Sequence, residues 1–136
     1  MNTNSTSKEE SELSAQTALC LAAITMVGID GEFKEEELEK LRSLVHTDES
    51  AFLKAFSIYN DRQLDVCIRT VSAKLNDEQK QITYHILYDL AQVDRDFAVS
   101  EQDLLKLYAA EFRLSKEFVS SVQDMPSHKY NLAAFE

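Results

Sequence analysis

The chain is poor in the residues that turn a backbone. Its 136 residues include two glycines, Gly28 and Gly31, and one proline, Pro126. Average usage of about 7% and 5% would supply roughly 16. A β-rich fold needs turn-formers about every 8–12 residues, so a sandwich or barrel is excluded. Reaction classes go with it. Neither a G-x-x-x-x-G-K phosphate loop nor a G-x-G-x-x-G dinucleotide fingerprint can be written with these two glycines. Basic charge is also short: 14 Lys and Arg stand against 24 Asp and Glu, a net of −10, with a pI near 4.7. That field repels phosphate backbones and anionic membrane surfaces, so no nucleic-acid or membrane partner is expected. Cations and basic proteins are its natural complement. No apolar run reaches the roughly 18 residues of a membrane span, and the polar, acidic start is no signal peptide. The two cysteines, Cys20 and Cys67, sit among apolar residues without metal-type spacing and read as core residues of a reducing, cytoplasmic compartment.

What is present is helical periodicity. At about 100–200 residues per domain the length allows one domain. Residues 1–8 carry no apolar pattern and are expected to be a disordered tail, with 9–136 forming the domain. From Glu9, apolar or small residues at Leu13, Thr17, Cys20, Ile24 and Val27 predict a helix buried along one face. Gly28, Asp30 and Gly31 break it. A second helix over about 34–45 turns Leu38, Leu41, Leu44 and Val45 inward, with Glu35, Glu36 and Glu37 at its dipole-favoured start. Asp48 caps a third carrying Phe52, Leu53 and Phe56. Asp61 caps a fourth with Leu64, Cys67, Ile68, Val71 and Leu75. Asp77 opens a fifth with Ile82, Ile86, Leu87, Leu90 and Val93. After Asp94-Arg95-Asp96, Ser100 caps a sixth with Leu104, Leu107, Tyr108 and Phe112, and Ser115 caps a short seventh. The apolar set Tyr130, Leu132 and Phe135 suits a tail that docks on the body. The fold class is all-α, a single compact domain of about seven helices.

The chain also matches itself at an offset of 66 residues. Leu21 pairs with Leu87, Val27 with Val93, Asp30 with Asp96, Glu35 with Glu101, Leu38 with Leu104 and Leu41 with Leu107. The two copies, LAAITMVGIDGEFKEEELEKL and LYDLAQVDRDFAVSEQDLLKL, each read as buried helix, Asp-bearing break and acid-started helix. Two pseudo-symmetric halves are expected. The second copy has Phe97 where the first has Gly31.

The stretch LAAITMVGIDGEFKEEELEKLRSLV, with Asp30-Gly31, Glu36, Glu37, Leu38 and Leu41, resembles the TerB-like, tellurite-resistance-associated family. The same helical domain occurs in some membrane-anchored DnaJ-like co-chaperones. The resemblance covers about residues 13–123. It implies an all-helical, non-enzymatic protein of stress response and metal-ion handling, with acidic residues that bind cations.

Six carboxylates fall within residues 30–39: Asp30, Glu32, Glu35, Glu36, Glu37 and Glu39. Helix-dipole complementarity accounts for Glu35 to Glu37, each contributing about 0.3–1 kcal/mol. It leaves Asp30 and the recurrence at Asp94, Asp96, Glu101 and Asp103 unexplained. Carboxylates brought together by two breaks would repel, and a hard divalent cation, calcium or magnesium, would offset that. The metal candidates are therefore Asp30, Glu36, Glu37, Asp94, Asp96 and Asp103. An EF-hand register fits Asp30, Gly31 and Glu37 but puts Met26 and Gly28 at ligand positions, so a working calcium loop is not expected.

The remaining constellations are weak. His46 and His128 stand in polar surroundings and read as solvent-facing. His85, four residues before Asp89, reads as half of a surface ion pair, with metal binding the competing use. No H-E-x-x-H or Cys-His set supports zinc, and no G-x-S-x-G turn supports a serine nucleophile. The five tyrosines fall on amphipathic segments, as core or rim residues. Two functions remain: a TerB-like protein binding a divalent cation at its acidic breaks, and an acidic protein-interaction module that docks a basic partner without metal.

Overall fold

A computed structural model of the chain describes residues 13–29, 35–45, 49–93, 99–125 and 130–136. In order, these form α1 (Ala15–Gly28), α2 (Glu35–Val45), α3 (Glu49–Asp61), α4 (Leu64–Lys74), α5 (Asp77–Val93), α6 (Val99–Phe112), α7 (Lys116–Val122) and a 3-10 turn, Leu132–Phe135. No strand occurs among the described residues, and none of their helices is long and apolar enough to cross a membrane.

The fold is organised around α1. Its sequence, AQTALCLAAITMVG, holds no charged residue, so no face of it needs water. Every residue from Thr17 to Gly28 is buried, where a single inward stripe was expected. The reason is its surroundings: α2, α3, α4 and α5 all pack on it. It starts at Ala15 because the Ser14 hydroxyl accepts the Thr17 amide at 3.0 Å. Leu13 and Ser14 therefore precede the helix, and the expected start at Glu9 lies outside the described residues, as do Asp48, His46 and His128. Gly28 is the last helical residue, with the Tyr59 hydroxyl donating to its carbonyl at 3.4 Å. Thr25 ties the helix to α6. Its hydroxyl donates to the Ala22 carbonyl at 2.6 Å and lies 2.7 Å from the hydroxyl of fully buried Tyr108.

Several expected caps and faces are corrected. Asp61 ends α3 instead of capping α4, because only Arg62 and Gln63 separate the two helices; Gln63 is the cap and makes no side-chain bond. Ser100 lies inside the first turn of α6, which begins at Val99. Asp77 opens α5 as expected, directly behind its cap, Asn76. Asn76 Oδ1 accepts the Gln79 amide and Gln79 Oε1 accepts the Asn76 amide, both at 2.8 Å, a reciprocal capping box. Ser115 caps α7 as expected, accepting from the Phe118 amide at 3.0 Å. In α3 the small Ala51 and Ala55 are buried and bring the helix close to α1. Leu53 is turned out, 61% exposed, while Phe52 and Phe56 pack at 5.1 Å with Arg42 over the Phe52 ring. In α6, Leu105 is inside and Leu107 is 51% exposed. Packing of α6 against both α4 and α5 shifts its buried face by part of a turn.

Cys20 and Cys67 are buried and form no disulfide with each other, and burial pushes the Cys67 thiol up. Scarcity of glycine shows at one turn. Arg113 ends α6 with φ 57°, a left-handed conformation that favours glycine, while the Leu114 amide reaches the Ala109 carbonyl at 3.0 Å.

The C-terminal residues dock on α5, as expected. Gln79 Nε2 donates to the Ala134 carbonyl at 2.7 Å, Tyr130 donates to Asp89 Oδ2, and Phe135 is buried.

Candidate functional site

The first turns of α2 and α6 are where the acidic sequence meets the packed core. α2 opens with Glu35, Glu36 and Glu37, and α6 with Glu101 at its third residue. Carboxylates suit this end of a helix, where the dipole and unsatisfied amides are positive. Most such residues are solvated, and Glu35 and Glu36 are exposed. Glu37 and Glu101 are not: they are 3% and 5% exposed. Each is the third residue of its helix, and each stands four residues before a buried leucine, Leu41 or Leu105. That spacing places the carboxylate on the inward face. A buried carboxylate is costly unless charge or hydrogen bonds meet it, so two at equivalent helix positions form a built feature.

Of the six acidic candidates, the structure therefore buries one. Glu37 is inside, Glu36 and Asp103 are exposed, and Asp30, Asp94 and Asp96 lie outside the described residues. The offset of 66 pairs Glu37 with Asp103, but the helix starts lie 64 residues apart, at Glu35 and Val99. Counted from those starts, the counterpart of Glu37 is Glu101, which the sequence reading matched to exposed Glu35. The signal was legible: Glu101 completes the stripe of Leu104, Leu105 and Tyr108 at three, four and seven residues. Among the described residues, no three His, Cys, Asp or Glu side chains gather as a metal-binding group.

Two cavities lie elsewhere on the domain, and neither is lined by Glu37 or Glu101. One of about 310 Å³ opens at the end of α1 beside the first break, lined by Thr25, Gly28, Ile29, Tyr59, Arg62 and Leu64 among others. A larger one, about 690 Å³, lies between the ends of α4 and α6 and the start of α5. It is lined by Lys80 and Arg113 with Asp77 and Glu111, and by none of the three candidates among the described residues, Glu36, Glu37 and Asp103.

A second polar cluster sits on α5. His85 and Asp89 are not the surface pair expected from their spacing, since their side chains are 11% and 13% exposed. Helical spacing fixes that they share a face but not what covers it, and here the cover is Tyr130. Its ring meets the imidazole at 5.1 Å, nearly edge-on. Burial holds the His85 imidazole below its ordinary pKa. Burial also lifts the Asp89 carboxyl to about 6, against the pull of the Lys40 ammonium on α2. Tyr84 and Tyr108 are buried, and Tyr59, Tyr88 and Tyr130 half-buried, so the tyrosines are core and rim residues.

Four helices packed on an apolar central one, with acid-started helices after two breaks, define an acidic all-helical domain. The family model described as Tellurite resistance protein TerB matches residues 15–123, from the first residue of α1 to just beyond α7. The chain belongs to the TerB family. Comparison with curated proteins returned no match, and comparison with solved structures returned none.

Proposed function

We propose that this TerB-family chain is a non-enzymatic, cytoplasmic stress-response protein that takes up a divalent cation, calcium or magnesium, at its acidic breaks. The observation that carries the reading is the burial of Glu37 and Glu101 at the third position of the helices that follow those breaks. Each brings a carboxylate inward next to a stretch rich in further oxygen ligands: Asp30 ahead of Glu37, and Asp94 with Asp96 ahead of Glu101. All-oxygen sets of this kind suit hard cations. Glu36 and Asp103, being exposed, serve as outer charges that raise the local cation concentration.

Thermal unfolding tests it. A cation at 100 times its Kd stabilises the folded state by about 2.7 kcal/mol, hence a rise of roughly 5–10 °C over chelator for a chain this long. Asp30→Asn and Glu37→Gln should abolish that rise. No shift with calcium or magnesium would overturn the cation reading. The second reading, an acidic module for a basic partner, draws on the net charge of −10. It predicts capture that falls steeply with salt and ignores chelator.

A further inference from the structure

The cluster of His85, Asp89 and Tyr130 is built from α5 and the C-terminal segment and owes nothing to the reading of the acidic breaks. Helix α5 sets His85 and Asp89 one turn apart on one face, and the C-terminal segment brings Tyr130 across them. Gln79 anchors that segment through the Ala134 carbonyl at 2.7 Å, and buried Phe135 anchors it through packing. Three donor atoms of different chemistry converge. Tyr130 donates its hydroxyl proton to Asp89 Oδ2. His85 Nε2 lies 3.6 Å from that same oxygen, too far for a hydrogen bond.

The imidazole nitrogen is the informative atom. His85 is 8% exposed, and its buried Nε2 has no hydrogen-bond partner among the described residues. It is aimed at a carboxylate oxygen across a gap that a hydrogen bond does not span but a metal ion does. Two ligands bound about 2.0–2.2 Å from a tetrahedral ion stand about 3.3–3.6 Å apart.

We propose that His85 Nε2, Asp89 Oδ2 and the Tyr130 phenol oxygen are the protein ligands of a zinc-class first-row divalent ion, which ties the C-terminal segment to α5. One imidazole and two oxygens favour zinc, copper or nickel over calcium and magnesium, which take all-oxygen shells. On binding, the Tyr130 hydroxyl releases its proton to solvent. The Tyr130–Asp89 hydrogen bond gives way to two metal–oxygen bonds, and His85 enters neutral. Phenolate and carboxylate together neutralise the divalent charge. The fourth position is left to water. Lys40, whose ammonium acts on Asp89 from α2, opposes the ion and sets an upper limit on its affinity.

Copper(II) is the probe, because it leads the divalent affinity order and a copper-bound phenolate absorbs visible light by charge transfer. The chelator-stripped full chain should bind one equivalent with such a band. Tyr130→Phe should remove the band, His85→Gln should weaken binding at least tenfold, and Lys40→Met should tighten it. Asp30→Asn and Glu37→Gln should leave it unchanged, so this site and the acidic breaks fail or stand separately. No band in the unmodified chain, or a band that survives Tyr130→Phe, would overturn the proposal. Should His85→Gln unfold, as circular dichroism would show, the Tyr130 and Lys40 variants decide it.

Discussion

Helices α1 and α5 each lead into an acidic stretch of the sequence, yet they are buried in opposite ways. α1 has no charged residue and is covered on every side by neighbouring helices. α5 is charged at Asp77, Glu78, Lys80 and Asp89, and offers the core one face, through Ile86, Leu87, Leu90 and Ala91. Its other partly buried face carries Gln79, His85 and Asp89, and it is the C-terminal segment that covers them. A helix without charged side chains, whose two buried threonines find partners close by, can be enclosed by helices alone. A helix with buried polar groups needs a cover that also supplies hydrogen-bond partners.

The comparison can be broken by substitution. The largest effects belong to α1, where opposite faces should be equally intolerant. Leu19→Ala and Leu21→Ala should each lose about 2–5 kcal/mol in denaturant unfolding. In α5 the same test should split the faces: Leu87→Ala should lose as much, and Gln81→Ala, an exposed site, should stay within about 0.5 kcal/mol. Next comes Tyr108→Phe, which leaves the Thr25 hydroxyl without its partner across the core and should cost about 1–3 kcal/mol in the same measurement. Gln79→Ala removes half of a capping box and a bond to the C-terminal segment, so a loss of about 1–2 kcal/mol is expected. Limited proteolysis of that variant should cut first near residue 130.

The smallest effect is in pH dependence. Burial raises the Asp89 carboxyl from 3.8 to about 6 in the folded chain. The native state therefore holds this proton more tightly than the unfolded state between those values. Its contribution to stability is present below pH 4 and is lost as the pH rises through 6. With chelator present, the chain should gain stability relative to Asp89→Asn as pH falls from 7 to 4, read from paired unfolding curves. His85, lowered by burial, works the other way below its ordinary pKa. The gain should therefore be clearer in a His85→Gln background.

Much of this was legible from local pattern. Seven helices, their order and most of the core follow from the three-and-four spacing of apolar residues, and the capping role of Ser115 follows from its hydroxyl. The errors have a common physical source. Leu53, Leu107 and the exposed side expected of α1 were read from one helix at a time, whereas burial depends on how many neighbours surround it. Alanines in α3 let the backbone approach α1 and turned Leu53 outward. The His85–Asp89 pair was misplaced at the surface because its cover comes from Tyr130, 41 residues beyond Asp89. At the acidic breaks, matching letters at offset 66 hid the equivalence of Glu37 and Glu101, which only the helix starts define. The carboxylates Asp30, Asp94 and Asp96 lie outside the described residues.

The full enclosure of α1 also bears on how the chain is made. It leaves the ribosome before every helix that packs around it. The last of the four helices packed on it, α5, ends 65 residues after α1 does. At about 5–20 residues per second, the most apolar helix waits roughly 3–13 s for its cover. During that interval it is a target for hydrophobic-binding chaperones and for aggregation. Synthesis speed across residues 29–93 should therefore govern soluble yield more than any change in the finished fold.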